Sequence, residues 1–357
     1  MNKKLIKITR NIGAAALLFA FGSCDHNAVF EYNDDCDPVF KVNFVYDMNL
    51  KWADAFPSEV HSVNLYVFDK NERFVKEYKV NGNQVDEPGF EITLDLNPGD
   101  YTLLAWCGLD NINASNDSFT VISPVVGQTT LDEMSCSLNT QIVDGKTVSD
   151  QQIQFMYHGL LNVNLPDVLD GKTYYYTVPL TKDTNHIRII LQQLSGEDMN
   201  PDDFAFRIEA PNGEMAYDNS LLGNTMVNYL SWDKFSDEAG IFESENNMEE
   251  GNLVYADGVI ADLSTCRMMA DQANVMKLTI YNSEKDEVIA SVPLIQYALM
   301  AKKYYESAYG HQMSDQEFLD REDEYILTFF LDESQKWINA YIYINSWRIV
   351  PKEYEFQ

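Results

Sequence analysis

Short apolar runs separated by turn residues recur along this chain and restrict it to a β fold. From Phe40 to Tyr46 an apolar residue stands at every second position, which is the pattern of a half-buried strand. The runs Val63–Val67 and Phe74–Val80 flank the polar stretch Asp69–Glu72, which predicts a β-hairpin. Short strands with frequent turns and little helical pattern predict an all-β, antiparallel sandwich fold.

Further turn signals extend this pattern. Asn97–Asp100 carries the Pro and Gly of a type II turn, so the strands before and after it should form a hairpin. Pro211–Gly213 separates two more predicted strands, 204–210 and 214–217, in the same way. Residues 232–251 are acidic and rich in Asn, Ser and Gly, which indicates a long surface loop.

The strand pattern continues on both sides of a turn-rich break at residues 158–172. The chain has 357 residues, which is enough for two domains at about 100–200 residues each. We therefore expect two tandem β-sandwiches, the first at 38–165 and the second at 166–357.

Helical patterns occur near the end of the second half. Leu294–Tyr305 has apolar residues at helical spacing. Ser314 and Glu317 form a capping-box pair, so a short helix should run from there to about Glu322.

The last predicted strand, Trp337–Val350, is apolar on both faces and must be covered on both. One interpretation is a central strand of the second sandwich. The other is a strand that pairs with another chain. The residues of this candidate inter-subunit strand are Tyr341, Ile342, Tyr343, Ile344 and Trp347.

Residues 1–23 have the composition of a secretory signal peptide. Four basic residues precede the apolar run Ile12–Phe21, and Gly22-Ser23 precede Cys24. The run is too short to span the hydrocarbon core of a membrane, which is about 30 Å thick. A Cys after Gly-Ser resembles a lipobox, so we expect Cys24 to carry a lipid; the alternative is an ordinary signal peptide with a coincidental Cys.

Residues 24–37 are polar and acidic and are predicted to be a tether between lipid and fold. A calcium loop at Asn33–Asp37 is the alternative, although the Gly that an EF-hand loop requires is missing there.

Charge and composition limit the partners. The formal net charge is −31, which disfavours binding to nucleic acid. The hydrophobic fraction of 45% is sufficient for large cores, unlike that of a disordered chain.

Neither an enzyme site nor a cofactor site is indicated. The five His residues have no partner spacing, and no P-loop, H-E-x-x-H, G-x-S-x-G or Cys-x-x-Cys motif occurs. We therefore expect no catalysis, no metal and no cofactor other than the lipid. Apart from Cys24, four cysteines allow three disulfide pairings, and spacing selects none of them: Cys36, Cys107, Cys136 and Cys266.

Several stretches resemble the FimB-type family of Bacteroidales fimbrial proteins, which are the anchors of minor and major fimbria. The stretches lie in both halves of the chain: Val39–Phe56, Val63–Asp69, Leu180–Arg188, Leu191–Gly196, Tyr217–Leu222, Met313–Asp320 and Ala340–Arg348. The resemblance implies two transthyretin-like Greek-key sandwiches and a lipoprotein exposed at the cell outer membrane. It further implies that fimbrial stalk subunits are the partners, bound by β-strand augmentation at the base of the fimbrium.

Two alternatives to the anchor function remain open. One is a glycan-binding surface lipoprotein, because the 21 Tyr residues could form an aromatic platform as well as pack in strands. The other is an accessory or tip adhesin of the fimbrium.

Overall fold

The computed structural model describes residues 37–109, 118–193, 199–223, 225–243, 252–338, 342–345 and 347–349. Contacts divide the chain into two compact units. Of the described residues, 37–39 and 168–173 belong to the small unit, in which the Val39 amide donates a 2.9 Å hydrogen bond to the Lys172 carbonyl. The remaining described residues belong to the large unit, which contains both sandwiches.

The first half of the chain forms twelve strands and one four-residue helix within the described residues. The helix is α1 (Phe56–Glu59). The strands are β1 (Val39–Val45), β2 (Ser62–Asp69), β3 (Phe74–Asn81), β4 (Ile92–Leu94), β5 (Gly99–Cys107), β6 (Phe119–Val121), β7 (Ser135–Leu138), β8 (Gln141–Val143), β9 (Lys146–Ser149), β10 (Tyr157–Leu165), β11 (Thr173–Pro179) and β12 (Thr181–Lys182).

The second half adds two longer helices, α2 (Leu294–Tyr309) and α3 (Asp315–Arg321). Its strands are β13 (Thr184–Gln193), β14 (Phe204–Ala210), β15 (Glu214–Ala216), β16 (Val227–Leu230), β17 (Asp233–Glu243), β18 (Asn252–Cys266), β19 (Lys277–Asn282), β20 (Glu287–Pro293), β21 (Glu324–Leu331), β22 (Ile342–Ile344) and β23 (Trp347–Ile349). The all-β sandwich prediction, with short helices in the second half, is confirmed.

The first sandwich is built from a three-stranded sheet, in the order β11-β1-β4, and a five-stranded sheet, in the order β12-β10-β5-β2-β3. Its core includes Phe44 of β1, Leu65 of β2 and Leu103 of β5. The opposite face of the five-stranded sheet is also buried, because Tyr66 and Trp106 belong to the second core.

The second core lies between two six-stranded sheets. One has the order β17-β18-β13-β21-β22-β23 and is called the hairpin sheet below, because β22 and β23 form its terminal hairpin. The other has the order β20-β19-β14-β16-β9-β8. β13 shows the alternation that this packing requires, since Ile187, Ile189 and Leu191 are fully buried on one face.

Two predicted hairpins are instead connections between sheets. Across Asn97–Asp100 the chain passes from β4, which pairs with β1, to β5, which pairs with β2 and β10. Across Pro211–Gly213 it passes from β14 to β15, and β15 pairs with β7 in a separate three-stranded sheet. A turn signal identifies the reversal of the chain, but the strand edges that are available decide which strand becomes the partner.

The predicted loop at 232–251 is also wrong over its first part. Residues 233–243 form β17, which pairs with β18 in antiparallel register from Asp233↔Asp262 to Glu243↔Asn252. The acidic composition suggested a loop, whereas backbone pairing with the long strand β18 produces a strand.

Two strand pairs are parallel, contrary to the expected antiparallel pattern: β13 with β21, and β9 with β16. Parallel neighbours need a long crossover connection, and here each pair is separated by more than 70 residues.

Strand pairing also crosses the predicted domain boundary at 165/166. Strands β8 and β9 join the sheet of β14, and β12 joins the sheet of β10, so the two-domain division stays a prediction.

Three of the cysteines, Cys107, Cys136 and Cys266, are free thiols within the described part of the chain, and all three are buried. Burial raises the pKa of the Cys266 thiol to about 12, so this thiol is protonated at neutral pH. Cys36 lies outside the described residues. No helix among the described residues has the length and apolar character needed to cross a membrane.

Candidate subunit-joining site

The predicted last strand is two short strands joined by a turn at Asn345. β22 pairs with β21 through Leu327↔Ile344 and Thr328↔Tyr343, and β23 pairs with β22. Asn345 has φ of 49°, a left-handed conformation that Asn tolerates better than most residues. The candidate inter-subunit residues therefore lie in a hairpin at one end of the hairpin sheet.

The side chains of this hairpin differ in exposure. Ile342 and Ile344 are fully buried in the second core. Tyr343, on the other face of β22, is half-buried, and its ring lies edge-on to Phe330 at a centroid distance of 5.8 Å. Tyr341 lies outside the described residues. For Trp347 the structure describes only the backbone, which belongs to β23.

The Asn345 side chain fastens the hairpin to the neighbouring elements. Its Oδ1 accepts a 2.6 Å hydrogen bond from the Ile326 amide of β21. Its Nδ2 donates to the Glu322 carboxylate at 3.0 Å, to the Glu324 carbonyl at 3.0 Å and to the Tyr305 hydroxyl at 3.3 Å. The turn is thus bonded both to the adjacent strand and to α2.

Glu322 is the ionisable group beneath this turn. It is 8% exposed and accepts a further hydrogen bond from the Glu324 amide at 3.2 Å. Burial raises the pKa of the Glu322 carboxyl to about 7, against the hydrogen bonds that favour its charged form. The contact between hairpin and core therefore includes a group that titrates near neutral pH.

Helix α3, which precedes Glu322, begins after Ser314 as predicted, but only the Ser314 half of the predicted capping box is observed. The Ser314 hydroxyl accepts a 3.0 Å hydrogen bond from the Glu317 amide, and the Glu317 carboxylate accepts one from Arg321 at 3.0 Å. Helix α2 extends four residues beyond the predicted end and stops at Gly310, which has φ of 74°.

A buried lysine joins elements of both halves. Lys182, whose side chain is 3% exposed, forms ion pairs with Asp323 and, at 3.3 Å, with Glu59 of α1. Its ammonium also lies 3.7 Å from the centre of the Phe155 ring. Breaking a buried ion pair leaves uncompensated charge, so this contact favours one fixed arrangement of the elements involved.

The next residue, Asp183, begins a second polar cluster. It is fully buried and accepts a 2.9 Å hydrogen bond from Asn219. Arg267 lies 3.7 Å from its carboxylate and binds Asp320 through two hydrogen bonds of 2.9 and 2.8 Å. Burial raises the pKa of the Asp183 carboxyl to about 7 although Arg267 opposes the shift.

A third contact connects the loop after β1 to α3. Arg321 donates hydrogen bonds to the carbonyls of Asp47 at 2.9 Å and Asn49 at 3.2 Å. Its guanidinium lies 3.7 Å from the centre of the Trp52 ring, which also stacks on His311 at 4.3 Å. Trp52 has φ of 53°, a strained conformation for a large side chain.

Sequence reasoning did not identify these three contacts, which are called the joint below. The sequence nevertheless contained a signal for the joint. Several of its residues lie within stretches that resemble the family: Val39–Phe56, Leu180–Arg188, Tyr217–Leu222 and Met313–Asp320. These stretches are far apart in sequence, but in the folded chain their residues contribute to the same joint.

The described residues also include a polar cleft of about 520 Å³ near β6 and the β8–β9 hairpin. Its lining residues are mostly amides and hydroxyls, with one carboxylate. Thr120 donates to Asn139 at 2.7 Å, and Gln141 donates to Asp150 at 2.7 Å. Such groups suit a neutral, hydroxyl-rich ligand better than an anion.

Other predicted sites cannot be placed. Cys24 and residues 33–36 of the acidic stretch lie outside the described residues. Among the residues that the structure covers, no group of three or more His, Cys, Asp or Glu is arranged to hold a metal ion.

Two solved structures with a similar fold come from Bacteroides thetaiotaomicron. A candidate adhesin from Bacteroides thetaiotaomicron is 31% identical and has a TM-score of 0.74, with coverage of 88% of this chain and 97% of that one. A candidate polysaccharide-binding protein from the same species is 26% identical and has a TM-score of 0.71, with coverage of 89% and 99%.

The minor fimbrium anchoring subunit Mfa2 of Porphyromonas gingivalis is similar in sequence and in fold. It is 23% identical over 210 residues, which are 58% of this chain and 60% of that protein. The match thus spans about three fifths of the length of this relative. The solved Mfa2 structure has a TM-score of 0.59 at 16% identity, with coverage of 89% and 100%.

The family model for fimbrillin-A associated anchor proteins matches residues 33–352, which are most of the chain. The resemblance that the sequence stretches indicated is therefore confirmed. This chain belongs to the family of fimbrillin-A associated anchor proteins Mfa1 and Mfa2.

Proposed function

We propose that this chain is a non-enzymatic anchor that holds the base of a fimbrium at the bacterial outer membrane. Membership of an anchor family supports the fimbrial part of the proposal. The lipobox-like sequence before Cys24 supports attachment by a lipid, with acyl chains that bury their CH₂ groups in the membrane.

The observation that carries the proposal is the end of the hairpin sheet. There β23 is the outermost described strand, and an outermost strand can accept another strand through its free N–H and C=O groups. The buried Ile342 and Ile344 hold β22 in the core, so β22 supports the hairpin while β23 meets the stalk subunit.

Crosslinking in intact cells tests this proposal. A photo-crosslinking residue at Arg348 in β23 should capture a fimbrial stalk subunit, identified by mass spectrometry. The same residue at Lys79, in the edge strand β3 of the first sandwich, is the control and should capture none. Capture from Lys79 and none from Arg348 would contradict the placement of the joining site.

A second candidate function is glycan binding at the polar cleft. It is favoured by the amide-rich lining and by the similarity to a solved protein described as a candidate polysaccharide binder. A glycan array probed with residues 37–357 tests it. Specific binding that is lost in Asn139→Ala and Gln141→Ala would support this function, and an array without binding would exclude it.

An accessory or tip position is the remaining alternative. Gold labelling of the chain along fimbriae distinguishes this position from one at the base.

A further inference from the structure

Lys182 of β12 is a buried amine that lies between two carboxylates. Its side chain is 3% exposed, and its Nζ donates one hydrogen bond to Asp323 Oδ2 and another, of 3.3 Å, to Glu59 Oε2. The two carboxylate side chains are more open, since Asp323 is 23% and Glu59 27% exposed. A primary amine and a carboxyl group, which can condense to an amide, are therefore held in contact.

Aromatic rings flank the amine. The Lys182 Nζ lies 3.7 Å from the centre of the Phe155 ring and 5.8 Å from that of Tyr157, and Tyr46 packs edge-on against Tyr157 at 5.0 Å. The Phe155 face attracts an ammonium, but the exclusion of water disfavours both charges of the ion pair. Transfer of a proton from Lys182 to Asp323 is thereby favoured over its occurrence in water, and it produces a nucleophilic amine beside a neutral acid.

Glu59 is positioned to carry a proton between these groups. Its Oε2 accepts hydrogen bonds from the Lys182 Nζ and from the Tyr157 hydroxyl, each at 3.3 Å. The bond from Tyr157 holds the carboxylate of Glu59 beside the amine. A carboxylate within hydrogen-bond reach of the proton that it takes meets the geometric requirement for a general base and, after it has taken the proton, for a general acid.

We propose that Lys182 and Asp323 condense to an intramolecular isopeptide bond. The Lys182 Nζ attacks the Asp323 Cγ and forms a C–N bond, the bond between Cγ and one Oδ breaks, and this oxygen leaves as water. Of the three protons on the ammonium, one stays on the amide nitrogen and two leave with the water, one of them carried by Glu59. No oxidant or reductant is needed, because no atom changes its oxidation state.

The isopeptide bond joins the sheets of the two halves. Lys182 belongs to β12, which pairs with β10, and Asp323 directly precedes β21 of the hairpin sheet. The two residues are 141 positions apart in sequence, so the amide closes a large covalent loop that restricts the unfolded chain. The bond needs no fimbrial partner and therefore does not depend on the proposed function.

Peptide mapping of the full chain purified from cells tests the bond. Trypsin does not cleave after an acylated lysine, so digestion of the denatured chain should give a branched peptide of residues 173–188 and 322–336. The mass of this peptide should be lower than the sum of its two parts by one water molecule. Tandem mass spectrometry identifies the linked residues.

Lys302 is the internal control, because it also lies between two carboxylates. Its Nζ is 2.7 Å from Asp315 and 3.7 Å from Glu306, but its side chain is 18% exposed and that of Asp315 is 58% exposed. Water therefore solvates this ion pair, and Lys302 should be found unlinked in the same digest.

Two variants test the roles of the residues. Lys182→Arg keeps the positive charge but replaces the amine by a guanidinium that stays protonated, so it should give no branched peptide. Glu59→Gln should fold like wild type, as measured by circular dichroism. After pulse labelling of cells, its branched peptide should form at least about 100-fold more slowly, because the proton carrier is missing.

Cleavage after Lys182 throughout the folded wild-type chain would overturn the proposal, because it shows a free amine. A branched peptide that contains residues 52–70 in place of 322–336 would assign the bond to Glu59 and overturn the choice of Asp323. Equal rates in wild type and Glu59→Gln would overturn the role of Glu59 as proton carrier.

Discussion

At the scale of single residues, the C-terminal hairpin depends on the Asn345 side chain at its turn. Asn345 combines a left-handed backbone with hydrogen bonds to Ile326, Glu322 and Glu324. An apolar residue in its place would remove all of these hydrogen bonds, including one to the buried Glu322 carboxylate, and a buried polar group that loses a partner costs more than the net worth of the bond itself.

We expect Asn345→Ala to lower the free energy of unfolding of the second half by about 2–4 kcal/mol, since it removes several hydrogen bonds and strains the turn. Asn345→Gly is the control, because Gly accepts the left-handed backbone and loses only the side chain. Urea unfolding of both variants checks this. Equal losses for Ala and Gly would show that backbone strain has no part in the effect.

Glu322 should make this contact pH-dependent. Its pKa is raised from 4.5 to about 7 in the folded chain, so the folded state holds the proton more tightly. Its contribution to stability is complete below pH 4.5 and is lost as the pH rises through 7, with a size of about 3 kcal/mol.

Glu322→Gln removes this titration, so the variant should gain stability relative to wild type between pH 4.5 and pH 8. Urea unfolding at several pH values measures the difference between the two proteins, and the titration of Asp183 cancels because both contain it. Parallel stability curves would contradict the assignment of this titration to Glu322.

At the scale of strands and helices, local sequence signals correctly predicted where strands and helices begin, but they did not predict which strands pair with each other. The alternation in Phe40–Val45 and the cap at Ser314 appear in the structure as predicted, because both depend on neighbouring residues. The sheet changes at Asn97–Asp100 and Pro211–Gly213 depend on strands far away in the chain, and no local pattern encodes them.

The candidate site shows the same division. Apolar residues on both faces correctly indicated that Ile342 and Ile344 are buried. The turn at Asn345 was not predicted, because the pair Asn345-Ser346 contains neither Gly nor Pro and lies between two apolar stretches. The joint also escaped prediction, since Lys182, Asp323 and Glu59 meet only after folding.

Ile342 is a direct test of the role of β22. Because Ile342 is fully buried, we expect Ile342→Asp to unfold the second half, since an unpaired buried charge costs several kcal/mol against a total stability of about 5–15 kcal/mol. Ile326→Asp in the adjacent strand, at a position 42% exposed, is the control and should leave the fold intact. Thermal unfolding distinguishes them; a stable Ile342→Asp variant that sheds fimbriae would instead show that β22 itself joins the stalk.

At the scale of the whole molecule, the joint connects elements of both sequence halves through Lys182 and Arg321. We expect the two sandwiches to unfold in one transition. Lys182→Ala should cost about 3 kcal/mol and separate the transition into two, because Glu59 and Asp323 lose their common cation.

Lys76→Ala is the matched control for Lys182→Ala. Lys76 pairs with Asp95, whose side chain is 93% exposed, and such surface pairs contribute little. Calorimetry of both variants measures the number of transitions. A single transition in Lys182→Ala would mean that the joint is not what couples the sandwiches.

We propose that a lipid on Cys24 attaches the fimbrium to the membrane, and release of fimbriae from Cys24→Ala cells is the decisive test of this attachment. Electron microscopy and immunoblotting of cells and medium measure where the fimbriae and the chain are found. We predict that both appear together in the medium, because the lipid that holds them has been removed. Fimbriae that stay on the cells, with the variant chain still in the outer-membrane fraction, would contradict attachment through Cys24.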